Sequence, residues 1–278
     1  MPETDSERLL EVAAEVAREA GALIRSRVPQ AREIRTKASS VDLVTDTDRA
    51  ADELISARLA QAFPDHARLT EEGGAVGPQA ASDICWVVDP LDGTVNFAHG
   101  VPQFAVSIAA AGGFRPGEPL CGGEASEILA GVVYDPMRDE LFTATADGEA
   151  RCNGEPIQVA PCAGIDEALL GTGFPYDRRE RAEEYLSPWH RILPRCRDLR
   201  RAGAAALDLV WVAAGRIDGY WERGLHAWDI AAGAHIARRA GARATDFTGR
   251  RLFLDASEVL VAPEPVHTEL GALVRAGE

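Results

Sequence analysis

The stretch WVVDPLDGTVNF, residues 86–97, ends a continuous apolar run in two carboxylates three residues apart, Asp89 and Asp92. Carboxylates displayed at the end of a rigid, buried strand can coordinate hard cations, which take oxygen ligands, and the carbonyl of Leu91 is a third oxygen between them. The same letters also read as an ordinary strand end, because Asp-Pro and Asp-Gly are turn dipeptides. Further acids carry the same double reading. Glu71 and Glu72 stand in the Gly-rich loop TEEGG and read as solvated loop acids or as ligands. Asp229 in HAWDIAAG precedes an apolar-periodic helix, where Asp is a favoured N-cap and can also be a ligand; Asp48 has the same ambiguity. Lys37 is the only lysine among 29 basic residues. Chance can leave a lone lysine anywhere, but a site beside carboxylates and a phosphate needs a compact ammonium rather than a planar fork.

Other chemistries lack their residues. The six histidines form no HExxH, no serine sits in a GxSxG elbow, GTGFPY lacks the third glycine of a dinucleotide loop, and no GxxxxGK[ST] occurs. Five cysteines without a CxxC pair read as small buried residues of a reducing compartment. With 44 acidic against 29 basic residues, a formal charge of −15, no global field attracts nucleic acid or an anionic membrane. An anionic ligand therefore needs local neutralisation. The acidic N-terminus is unlike a signal peptide, and no run reaches the roughly 20 apolar residues of a membrane span, so a cytoplasmic location is expected.

The elements that must position these residues follow from periodicity. Leu9, Val12, Ala13, Val16, Ala20, Leu23 and Ile24 recur at helical spacing, with Thr4 and Glu7 as a capping box. A second helix starts at a capping box of Thr45 and Asp48 and stops at Pro64. ICWVV, FAVSIAAA, ILAGVVYD and ELFTATA read as strands, the last two joined by a hairpin turn, and residues 112–123 as an exposed connection. From about Leu169 the pattern alternates: the strand ALLGTGF, the helix RAEEYLSPWHRIL, a helix between two short strands over 197–222, the helix DIAAGAHIARRAGA, and the strands ATDF and EVLVA. With 46% hydrophobic residues over 278 positions, the chain is expected to be one structural unit: an N-terminal α+β half, residues 1–150, carrying most of the acids, and a C-terminal α/β half, 151–278, closing over them.

DPLDGTVNF, TEEGG, WDIAAG and KASSVDLVTDTD together resemble the signatures of the inositol monophosphatase family, and VVYDPMRDELFTAT with RRAGAAALDLVWVAAGRIDGYWERGLHAWD resembles its bacterial inositol-1-monophosphatase branch. The resemblance runs from the opening helix to about Val261. It implies a layered αβαβα sandwich of the sugar-phosphatase type and a magnesium-dependent, lithium-sensitive phosphomonoesterase that assembles as a homodimer. It further implies one Mg2+ held by Glu71, Asp89 and the Leu91 carbonyl, a second held by Asp89, Asp92 and Asp229, and a third, weaker ion near Glu71. Thr94, hydrogen-bonded to Asp48, would orient the attacking water, with Glu72 and Lys37 just behind. The backbone of Leu91, Asp92, Gly93 and Thr94 would hold the phosphate. Gly203, Ala204 and Ala205, with Glu222 and Asp229, would face the polyol, and Arg201 would stand at its rim. Two features depart from the family pattern: Ala204 replaces a common hydroxyl residue, and the 112–123 connection is long.

The physics agrees with this set. Phosphate monoesters hydrolyse so slowly unaided that on the order of 20 kcal/mol of barrier must be removed, and paired cations roughly 3.5–4 Å apart can activate water and stabilise the leaving oxygen. Oxygen-only ligands favour magnesium. The metal site alone leaves myo-inositol 1-phosphate, histidinol phosphate, fructose 1,6-bisphosphate and 3′-phosphoadenosine 5′-phosphate open, with Glu222 favouring the inositol. A partner-binding role at the transcription machinery and a cation-binding domain without turnover are the non-enzymatic alternatives.

Overall fold

The computed structural model describes residues 3–28, 34–36, 43–78, 82–113, 127–252, 254 and 256–276. Lys37 and nearly all of the 112–123 connection lie outside the described residues.

Helix α1 (Glu3–Arg27) buries Leu9, Ala13, Val16, Ala17, Ala20 and Ile24 on one face, the stripe its periodicity predicts. It begins at Glu3, so Thr4 lies inside the first turn rather than at the expected cap. Strands β1 (Ile34–Thr36) and β2 (Leu43–Thr45) pair antiparallel. Helix α2 (Asp46–Ala62) starts at the expected capping box: the Thr45 hydroxyl accepts from the Thr47 amide at 3.1 Å, and Asp48 Oδ2 accepts from the Thr45 amide at 2.9 Å.

Next come β3 (Ala67–Thr70), β4 (Gly74–Val76), β5 (Ile84–Asp92), a short helix α3 (Thr94–His99), β6 (Ala105–Gly112), β7 (Glu127–Asp135), β8 (Glu140–Thr145), β9 (Arg151–Cys152) and β10 (Glu155–Pro156). The strands form one sheet in the order β10-β9-β8-β7-β6-β5-β3-β4. A second sheet, ordered β12-β11-β13-β15-β14, comprises β11 (Leu169–Thr172), β12 (Asp198–Arg200), β13 (Gly219–Arg223), β14 (Arg243–Thr245) and β15 (Glu258–Ala262). Its helices are α4 (Ala182–Ile192), α5 (Ala205–Ala213), α6 (Ala227–Arg239) and α7 (Val266–Arg275). Sequence periodicity anticipated neither α3 nor α7.

Five layers result. Helices α1 and α2 cover one face of the large sheet, α5 and α6 lie between the two sheets, and α4 with α7 covers the far face of the small one. This is the expected αβαβα sandwich. Strand β5 is buried on both faces: Trp86 and Val88 point into the α1/α2 core, Cys85 and Val87 into the α5/α6 core. It runs on through Pro90 to Asp92, with a register shift against β6 between Asp89 and Asp92. The shift breaks the strict alternation, so Leu91 joins the α1/α2 core while Asp92 reaches the amides that begin α5.

Candidate active site

Strands β3 and β5 run parallel with Thr70 opposite Val88, so one step further on Glu71 stands beside Asp89. The Glu71 amide donates to the Val88 carbonyl at 3.1 Å and fixes that placement. Asp229 arrives from the first turn of α6. It is the third residue of the helix, not the cap expected from sequence: His226 is the N-cap, and Asp229 Oδ2 accepts from the His226 amide at 2.6 Å. Asp92 accepts from two amides of α5, Ala205 at 3.2 Å and Ala206 at 2.7 Å, and Asp89 accepts from the Leu91 amide at 3.0 Å. Burial followed by the negative charge of Glu71 raises Asp89 and Asp229 well above the carboxylate range, with Asp92 adding to both. Asp92 is pushed up to about 7, chiefly by burial, although the α5 amides pull the other way.

At Gly93 the chain turns into α3 with φ of +93°, and a Cβ there would stand 2.8 Å from the Gln103 carbonyl. Only glycine permits this turn. The turn brings Thr94 Oγ1 to Asp48 Oδ1 at 2.8 Å, with the Leu91 carbonyl a longer contact at 3.2 Å. Asp48 is buried, also bonded to the Thr45 hydroxyl, and raised by desolvation. Asn96, absent from the sequence expectations, donates to the Gln103 carbonyl at 2.8 Å and the Ala202 carbonyl at 2.9 Å, tying α3 to the chain leading into α5. The adjoining letters GTVNF were its only signal.

These groups open into one cleft of about 180 Å³ lined by Glu71, Asp89, Leu91, Asp92, Gly93 and Thr94 on one side and by Arg201, Gly203, Ala205, Glu222 and Asp229 on the other. Ala204 and Glu72 are not among its lining residues; Ala204 is buried, its carbonyl taken by the Asp208 amide at 3.0 Å. Asp48 touches the cleft only through Thr94. Sequence reasoning missed the mouth, formed by Phe174, Pro175, Tyr176, Arg178, Leu225 and the stacked pair His226 and Trp228, whose rings lie 4.8 Å apart. It also missed the support of Glu222. Burial raises Glu222 to about 7, and its carboxylate receives the Tyr220 hydroxyl. Gly173 packs so closely that a Cβ would overlap Glu222 Oε2. Buried Asp208 lies behind, raised by desolvation and then by Glu222. A lone acid in the apolar helix AALDLVWVA was its signal.

Among the described residues, no three His, Cys, Asp or Glu side chains stand as a finished cation cage. Asp89, Asp92 and Asp229 each accept from backbone amides. The donor set nevertheless suits a hard cation: every candidate is an oxygen, and burial has crowded like charges that positive charge would relieve. Among the described residues, no helix is long and apolar enough to cross a membrane.

Comparison with known proteins points to one family. The model of the inositol monophosphatase family matches residues 5–276. The chain is 41% identical to the Nus factor SuhB of Pseudomonas aeruginosa, covering 91% of this chain and 90% of that one. It is 39% identical to the inositol-1-monophosphatase of Synechocystis sp., with coverages of 98% and 91%. Among solved structures, the extragenic suppressor protein suhB from Bartonella henselae superimposes with a TM-score of 0.88 at 32% identity, covering 98% of this chain and all of that one. The chain therefore belongs to the inositol monophosphatase family and shares the fold of the solved suhB structure.

Proposed function

We propose that this protein is a magnesium-dependent phosphomonoester hydrolase that releases phosphate from myo-inositol 1-phosphate by in-line attack of water. The observation that carries the reading is the convergence of Glu71, Asp89, Asp92 and Asp229 in the cleft that also receives Thr94, itself bonded to Asp48. Glu71, Asp89 and the Leu91 carbonyl would hold one cation; Asp89, Asp92 and Asp229 would hold a second, and a weaker third would lie near Glu71. Such cations supply Lewis-acid charge that makes water nucleophilic at neutral pH and offsets charge on the phosphoryl and leaving oxygens.

The chain's own residues do the rest. The Thr94 hydroxyl gives its hydrogen to Asp48, so its oxygen accepts from the attacking water and orients it. The backbone from Leu91 to Thr94 holds the phosphate, with Lys37 and Glu72 assigned supporting roles by resemblance. Gly203, Ala205 and Glu222 face the polyol, and Arg201 stands at its rim. In this reading residues 1–150 carry most of the ligands, residues 151–278 close the cleft, the protein works in the cytoplasm, and two copies form a homodimer.

A substrate panel with and without magnesium and lithium tests the proposal. We expect phosphate release from myo-inositol 1-phosphate that needs magnesium, falls with lithium and drops at least 100-fold in Asp92→Asn. Full activity in chelator or in Asp92→Asn removes the two-cation mechanism. Activity confined to histidinol phosphate, fructose 1,6-bisphosphate or 3′-phosphoadenosine 5′-phosphate moves the substrate and keeps the site. The likeness to a Nus factor favours one second reading, a protein partner at the transcription machinery. Capture of RNA polymerase that persists in Asp92→Asn supports it; no capture removes it.

A further inference from the structure

The letters GTG in GTGFPY, one glycine short of a dinucleotide loop, have no task in the chemistry above. The tertiary structure gives them one. Strand β11 runs parallel to β13 with Gly171 opposite Tyr220 and Thr172 opposite Trp221, so Gly173 stands one step on, beside Glu222. A Cβ at Gly171 would lie 3.2 Å from the Tyr220 ring, and a Cβ at Gly173 would overlap the Glu222 carboxylate. Tyr220 and Glu222 are two residues apart and share one face of β13. The two glycines of β11 open a slot that both side chains fill.

That slot fixes Glu222 before any ligand arrives. Tyr220 is wholly buried and is not among the residues lining the cleft, and its hydroxyl donates to Glu222 Oε2. Asp208 on α5 packs at the same place, its Cγ 3.7 Å from the position of a Gly171 Cβ, and the charge of Glu222 acts directly on it. Two acids side by side repel, so the Glu222 carboxylate gains nothing by turning further in. Oε2 takes the one hydrogen that Tyr220 has to give, which leaves Oε1 to accept from a ligand. A carboxylate held in this way loses little freedom when it binds.

We propose that Tyr220 is a positioning residue for substrate selection: through its bond to Glu222 it holds the carboxylate as an acceptor for a substrate hydroxyl, so that polyhydroxylated phosphates are preferred to phosphates without hydroxyls. This rests on the hydrolase reading above and concerns how that site chooses its leaving group. Tyr220 never meets the substrate, so its removal must act through Glu222 and on binding, while the departing phosphate and the attacking water are left as they were. Discrimination of this kind is strong, because a buried acceptor without its donor is costly.

The test measures KM and kcat for myo-inositol 1-phosphate and for phenyl phosphate, which has no hydroxyl beyond its phosphate, in the wild type, Tyr220→Phe, Glu222→Ala and the double variant. Phenylalanine keeps the ring beside Gly171 and removes only the donor. We expect Tyr220→Phe to raise the KM for myo-inositol 1-phosphate about 5-fold or more with kcat within twofold, and to leave both constants for phenyl phosphate within twofold. In the Glu222→Ala background the same substitution should shift the KM for myo-inositol 1-phosphate by less than twofold, because its partner is gone. Unchanged phenyl phosphate kinetics also show that the variant is folded. Equal losses on both substrates, a fall in kcat alone, no change in KM, or an undiminished effect in the Glu222→Ala background would each overturn the proposal. If the wild type releases phosphate from neither substrate, the hydrolase reading fails separately. Calorimetric binding of myo-inositol 1-phosphate to the magnesium-loaded protein then decides: about 5-fold weaker binding in Tyr220→Phe, with no further loss in the double variant relative to Glu222→Ala, keeps the positioning role, and equal or absent binding removes it.

Discussion

A threonine hydroxyl has one hydrogen to give. Asp48 Oδ1 takes that of Thr94 at 2.8 Å, and Asp48 is itself held by the Thr45 amide at 2.9 Å. The proposed water-orienting role of Thr94 thus depends on a carboxylate 46 residues earlier that never reaches the cleft surface. Replacing the hydroxyl by a methyl of similar shape removes the acceptor and leaves Asp48 short of one donor. Thr94→Val is expected to lower kcat about 100-fold or more while the far-ultraviolet circular dichroism stays that of the wild type, and Thr94→Ser to recover most of the loss. A Thr94→Val enzyme within threefold of wild type would remove the role. The sequence displayed both residues, and Asp48 was readable as part of a helix cap. Its bond to Thr94 was supplied only by the resemblance, since no local pattern joins positions 48 and 94.

At the scale of elements, the decisive piece is the junction of β5 and α3. Two residues three apart on a regular strand point to opposite faces. The register shift after Asp89 cancels that alternation, and Gly93 then turns the chain at a left-handed φ against the Gln103 carbonyl. Gly93→Ala combines an unfavourable φ with a 2.8 Å approach to backbone, so it is expected to destabilise the fold by about 2 kcal/mol or more and to depress turnover in the surviving protein. Urea unfolding checks this: an unchanged midpoint at unchanged slope would refute it. Helix boundaries show the same limit on local reading. Asp229 has the signature of an N-cap, yet the cap is His226, three residues earlier, and Asp229 stands in the first turn within electrostatic reach of Glu71 and Asp92.

The whole molecule sets the stability of groups far from the cleft. His235 on α6 is buried against the large sheet, with Nε2 3.0 Å from the Thr145 carbonyl, and desolvation pushes its pKa down to about 4 from 6.5. A histidine lowered in the folded state holds fewer protons than in the unfolded state between those values. Its contribution is complete above pH 6.5 and is lost as pH falls toward 4, by about 3 kcal/mol in total. Chemical denaturation of wild type and His235→Gln between pH 7 and 4 should therefore show a shallower decline in the variant, and parallel curves would count against the assignment. What the sequence determined by itself was the set of parts. Periodicity marked most helices and strands, because one buried face leaves a repeat of 3.6 or 2 in the letters. The net charge of −15 argued against nucleic acid and the absence of HExxH against a zinc protease, and the acidic motifs marked the cleft, because the proposed cation site needs oxygen donors and those are written in Asp and Glu. Tertiary structure alone decided which acids meet. The parallel register that sets Glu71 beside Asp89, the bulge that sends Asp92 to α5, the bond from Thr94 to Asp48 and the mouth built by residues 174–178 with His226 and Trp228 all join positions distant in the chain. Such contacts are fixed by packing two sheets around α5 and α6, a constraint that no short stretch of residues contains.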